Sequence, residues 1–129
     1  MGTTYAELTL SNPVNLDIGP MKVRALVDTG ALHLCIPEHV AIQLDLRELE
    51  SREVALADGG RRVVPYVGPI EVCFEKRRCF VGAMVMGDEA LLGAIPMEDM
   101  DLVIEPSRRT VTVNPASPNI PSSLAKAAK

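Results

Sequence analysis

One carboxylate stands out by its setting. Ala25-Leu26-Val27-Asp28-Thr29-Gly30-Ala31 is an apolar stretch that runs directly into an acid and then a glycine. Three apolar residues in a row read as a β-strand buried on both faces, and Gly30 lets the chain turn sharply after it. Asp28 is therefore expected at the mouth of a core strand. A carboxylate taken out of water is costly unless hydrogen bonds or a partner charge compensate, so this position is either well satisfied or functional.

Positioning such an acid requires strands on either side of it, and the hydropathy pattern supplies them. Residues 4–10 alternate polar and apolar, as a half-buried strand does, and residues 21–27 form the strand that delivers Asp28. Residues 32–36 read as a further strand stopped by Pro37. Between 37 and 46 the period changes to that of a helix, with Ile36, Val40, Ala41 and Leu44 on one face and Pro37 and Glu38 suited to a first turn. Residues 53–56 and 62–67 are arms of a hairpin centred on Gly59-Gly60, and residues 70–74 and 79–86 are arms of a second one. Leu91-Leu92 re-enters the core, and Gly93 allows a close backbone approach. A short helix over 96–100 and closing strands over 101–104 and 110–113 complete a domain spanning residues 1–114. Residues 115–129 are rich in Pro, Ser, Ala and Lys and read as a flexible tail.

The motif Leu26-Val27-Asp28-Thr29-Gly30-Ala31, followed by Ala90-Leu91-Leu92-Gly93, resembles the active-site loop and the hydrophobic-hydrophobic-Gly element of retropepsin-like aspartic proteases, the single-domain, retroviral-type branch. The resemblance covers the chain from about Tyr5 to Val113 and implies a mostly β, retropepsin-like half-barrel with one or two short helices, active as a C2 homodimer. It also implies roles. Asp28 of each subunit would hold the attacking water, Thr29 would bond the partner's loop, and Gly30 would let the backbone donate to the carboxylates. Ala31 stands where acid-adapted members carry a hydroxyl residue, which implies an optimum nearer mildly acidic or neutral pH. Residues Ala57, Asp58, Gly59 and Gly60 fall where the family places its flap, and with Ala31 they form the implied substrate-binding set. Viral members carry Arg directly after the hydrophobic-hydrophobic-Gly element, whereas Ala94 follows Gly93 here.

Chain length agrees with a shared site. Peptide hydrolysis by carboxylates needs one ionised group to take a proton from water and one protonated group to polarise the carbonyl. A chain of 129 residues with one Asp-Thr-Gly and no internal repeat is too short for two lobes. A two-fold axis solves this by bringing Asp28 to its own copy. Two carboxylates that close share one proton and titrate as a unit.

Bulk composition excludes several classes. The net charge of −4 argues against nucleic acid as a partner, since phosphate neutralisation needs clustered Lys and Arg. The pairs and triplets Arg61-Arg62, Lys76-Arg77-Arg78 and Arg108-Arg109 read as solvated turn charges. With aromatics at 3%, the core must be aliphatic. Neither a membrane-spanning stretch nor a signal peptide is read, so the expected location is cytoplasmic, with no membrane partner. Cys35, Cys73 and Cys79 are odd in number and lack CxxC spacing, so they read as free thiols, although Cys73 and Cys79 flank a hairpin turn and could face each other. His33 and His39 have no Cys or carboxylate at ligand spacing, so no metal and no cofactor are expected.

Three other functions compete. A homodimer of the same fold could bind or scaffold peptides without cleaving them. An aspartyl-phosphate enzyme would also place Asp at a strand end, but it needs an alternating α/β pattern and a second acid soon after the first, where Gly30 stands. A structural β-domain, with Asp28 satisfied at a turn, would be a monomer.

Overall fold

Among the described residues, period-two alternation produces nine strands, β1 (Tyr5–Ser11), β2 (Met21–Val27), β3 (Leu34–Ile36), β4 (Arg47–Ala55), β5 (Arg61–Phe74), β6 (Arg77–Val85), β7 (Ala90–Leu92), β8 (Leu102–Glu105) and β9 (Thr110–Val113). Two short helices interrupt them, α1 (Glu38–Gln43) and α2 (Ala94–Asp99). The computed structural model describes residues 3–125. Met1 and Gly2, part of the stretch expected to carry no signal peptide, and the last four residues of the expected tail lie outside the described residues.

Seven strands form one sheet in the order β1-β2-β7-β3-β6-β5-β4. The expected half-barrel is instead a closed six-stranded barrel. Closure occurs because β1 pairs along both edges: residues 5–10 bond β2, and Thr9, Leu10 and Ser11 also lie opposite Cys73, Val72 and Glu71 of β5. The fourteen residues of β5 serve two purposes. Its first half, Arg61–Gly68, pairs with β4 in a hairpin that extends beyond the barrel, and its second half pairs with β6 and β1. β4 starts at Arg47, well before the arm read over 53–56. Its first five residues are all exposed and three of them are charged, so they carry no apolar alternation to announce a strand.

The barrel interior is aliphatic. Leu8, Leu10, Leu34, Ile36, Ile70, Val72 and Leu92 are fully buried, and Val40 and Leu44 bring α1 against them. Asn12 fastens that helix: its Nδ2 donates to Leu44 O at 2.9 Å and Asp45 O at 3.2 Å, while its Oδ1 accepts from Val14 N at 2.9 Å. These bonds satisfy the amide of the buried Asn12 side chain, which is the condition for a polar side chain to sit here.

Three sequence expectations change. β2 is not buried on both faces: only Ala25 is enclosed, while Leu26 and Val27 are half-buried, because one face of a barrel strand looks outward. Arg77 is no solvated turn charge. It is 3% exposed and donates to Met100 O at 2.9 Å, Asp101 O at 3.3 Å and Ser117 O, with the Asp101 carboxylate 3.9 Å away. Cys73 and Cys79 do not face each other. Register sets Cys79 inward opposite Val72 and Cys73 opposite Arg78 on the other face, and all three cysteines are free.

The segment after β9 is tied to Asp101. Asn114 Nδ2 at 3.0 Å, Ser122 N at 2.9 Å and the Ser117 hydroxyl all donate to its carboxylate. Those bonds, the Ser117 hydroxyl first, hold the Asp101 carboxyl down at about 2.

Candidate active site

Asp28 sits where β2 ends, and its loop is clamped by the chain that follows β7. β2 and β7 run parallel with Ala25, Leu26 and Val27 beside Ala90, Leu91 and Leu92. Beyond the last pair, Asp28 N donates to Leu92 O at 3.0 Å, Ala94 N to Ala31 O at 2.8 Å and Ile95 N to Leu32 O at 2.8 Å. Gly93 lies at the centre of this clamp. A β-carbon there would come within 2.4 Å of His33 O and 2.8 Å of His33 N, so only glycine admits the approach. The reading of Gly93 as a close-contact residue is thus met in the fold.

The loop folds back on its own acid. Gly30 N donates to Asp28 Oδ1 at 2.9 Å, and Ala31 N donates to Asp28 O at 3.1 Å. Asp28, Thr29 and Gly30 are all exposed, which corrects the expectation of a carboxylate buried at the strand mouth. The cause is local: β2 stops at Val27, and the turn carries the next three residues out beyond the sheet. One Asp28 carboxylate thus faces solvent with most of its accepting capacity unused by this loop.

Beside the loop runs a groove of about 480 Å³. It is lined by Ala31 and Leu32, by Cys35, Met84 and Leu91, and by Arg52 to Ala55 of β4. Ala31 therefore does line a concave site next to Asp28. Ala57, Asp58, Gly59 and Gly60 do not. They form the exposed tip of the β4–β5 hairpin, closed by Leu56 N to Gly60 O at 2.8 Å and Gly59 N to Leu56 O at 3.0 Å. Gly59 has φ +89°, which suits glycine, and Asp58 accepts from Gly60 N at 2.8 Å as a turn former does.

Charges around the groove are paired within the hairpin. Arg52 bonds Glu50 at 2.7 Å and lies 3.9 Å above the Tyr66 ring, and Arg61 bonds Glu53 at 2.9 Å. His33 meets the same Tyr66 edge-on at 6.0 Å. Burial, and then the Arg52 charge, pull the His33 imidazole below its ordinary range. Burial pushes the Cys35 thiol up. Among the described residues, no three of His, Cys, Asp and Glu gather as a metal site would require, and no helix is long and apolar enough to cross a membrane.

Sequence reasoning did not single out Arg52, Val54, Met84 or Leu91 as groove residues. Arg52 and Val54 share one face of β4 by strand periodicity, so a longer β4 would have revealed them. Met84 depends on the pairing of β3 with β6, which no local pattern encodes. Fold and site together define a mostly β barrel with an exposed Asp-Thr-Gly loop beside a groove. No protein-family model matches the chain, and no curated protein matches its sequence.

Proposed function

We propose that this chain is one half of a retropepsin-like aspartic endopeptidase, completed when a second copy brings its Asp28 against the first. The observation that carries this reading is the clamp. Leu92, Gly93 and Ala94 spend their backbone groups and a missing side chain on fixing the Asp28 loop, yet leave the carboxylate itself uncovered. A structural acid would be the part fixed. Here the backbone is fixed and the acid is presented.

In the dimer one carboxylate is ionised and takes a proton from water, which attacks the peptide carbonyl. The other, protonated, polarises that carbonyl and then gives its proton to the leaving nitrogen. Gly30 N, already bonded to Asp28 Oδ1, orients the acid for this. An extended peptide would lie in the groove with the β4–β5 hairpin moving over it, as lids do to exclude water. Leu32, Val54, Met84, Met86 and Leu91 in the lining suit apolar side chains. Because Ala31 stands where acid-adapted members of the resembled family carry a hydroxyl residue, the rate should peak at mildly acidic to neutral pH.

Purified protein incubated with denatured casein, beside Asp28→Asn, tests the reading. Cleavage by the natural chain and none by the variant is the expected result. Equal background in both would leave a peptide-binding homodimer of the same fold.

A further inference from the structure

The groove beside Asp28 continues into another. His33 and Arg52 line it, and the same two residues line a second groove of about 440 Å³. Leu49, Phe80 and Ile95 also line this second groove, and they are 50%, 57% and 41% exposed. Large apolar side chains left open around one concavity mark a binding surface rather than a core.

Local structure builds this second groove. Alternation along β4 from Val54 and Arg52 would carry Glu50 to the same face and Leu49 to the opposite one. A bulge between Glu48 and Glu50 breaks that alternation, and Leu49 lines the groove together with Arg52. The junction of the two grooves is fixed as well. Tyr66 lies against Gly82, where a β-carbon would come within 2.6 Å of its Cε2, and the Arg52 guanidinium stacks on the Tyr66 ring at 3.9 Å. Only glycine at this point lets Tyr66, with Arg52 over it, lie so close to β6.

β4 runs along both grooves, with Leu49 in one and Val54 in the other. An extended chain advances about 3.3 Å per residue, as β4 itself does. A polypeptide lying along β4 therefore reaches the second groove about five residues from the position it places beside Val54. We propose that the groove lined by Leu49, Phe80 and Ile95 binds an apolar side chain of an extended polypeptide whose neighbouring segment occupies the Asp28 groove. One chain crossing both is the occupant because the grooves are continuous through His33 and Arg52 and share β4 along their length. Folded domains bury such side chains, so the class recognised is an unfolded segment with apolar residues about five positions apart. Calling that segment a substrate rests on the peptidase reading above, whereas its binding does not.

Fluorescence anisotropy with the purified Asp28→Asn chain, which leaves peptides intact, tests this. Three fluorescein-labelled peptides of Ser and Thr are compared: one with a single Leu, one with two adjacent Leu, and one with two Leu about five positions apart. The spaced pair should bind about tenfold tighter than either of the others. Phe80→Ser and Leu49→Ser alter half-exposed side chains, and each should remove most of that gain while leaving the single-Leu peptide unaffected. No saturable binding of the spaced peptide, equal binding of spaced and adjacent leucines, or a gain that survives both variants overturns the proposal. Loss of a dimer in sedimentation of Phe80→Ser would assign the groove to a second copy and overturn it too. A gain in a chain whose natural form does not cleave casein sustains this groove and removes the peptidase reading alone.

Discussion

Two aspartates in this chain are treated in opposite ways. Asp101 accepts from Asn114, Ser117 and Ser122 and lies beside buried Arg77, so its capacity is filled by its own chain. Asp28 accepts one N–H, from Gly30, and faces solvent. A carboxylate with two oxygens can accept about four hydrogen bonds. The first acid closes a structure and the second is left open on a fixed loop, which distinguishes an acid that holds the fold from one presented to something else.

The contrast can be broken at its structural end first. Arg77→Ala removes the guanidinium donor from Met100 O, Asp101 O and Ser117 O and leaves Asp101 without its cation, so urea denaturation should show a loss of about 3–5 kcal/mol. A loss below about 1 kcal/mol would mean that this cluster is not an anchor. Gly93→Ala forces a β-carbon into His33 backbone and should cost about 1–3 kcal/mol while displacing the Asp28 loop. Amide exchange at Asp28 and Ala94 should speed up together in that variant.

Acid titration sharpens the comparison further. The folded pKa of Asp101, about 2, lies below that of an unfolded Asp, so its stabilisation is complete above the unfolded value and is lost as pH falls through about 2. Asp101→Asn should therefore be less stable than the natural chain at neutral pH, and thermal melts of the two should converge as pH approaches about 2. At the other acid the effect on stability should be smallest. Asp28→Asn alters an exposed side chain and should shift stability by less than about 0.5 kcal/mol.

These two acids also show what the sequence makes legible. Asp28 could be found because its meaning is local: a strand, an acid and a glycine stand in a row, and Gly93 follows two leucines. Strand positions were readable for the same reason, wherever one face is apolar. Asp101 and Arg77 could not be found. Arg77 lies next to a turn and reads as solvated, and only pairing of β5 with β6 carries it to Met100 and Ser117. Burial of Asp28 was misjudged because Leu26 and Val27 are apolar on both strand faces, yet the outer face of this barrel strand is only half covered. Cys35 beside Met84 is likewise a product of register, invisible until strands distant in sequence are paired.

The central claim is that Asp28 works only against its own copy, and subunit mixing tests it most directly. Natural chain and Asp28→Asn are combined at fixed total protein, allowed to exchange, and assayed for peptide cleavage. If two carboxylates make one site, an equal mixture should retain about a quarter of the activity of the natural protein, because only dimers with both acids cleave. Activity that falls in simple proportion to the natural chain present, or that persists in pure Asp28→Asn, would contradict the account.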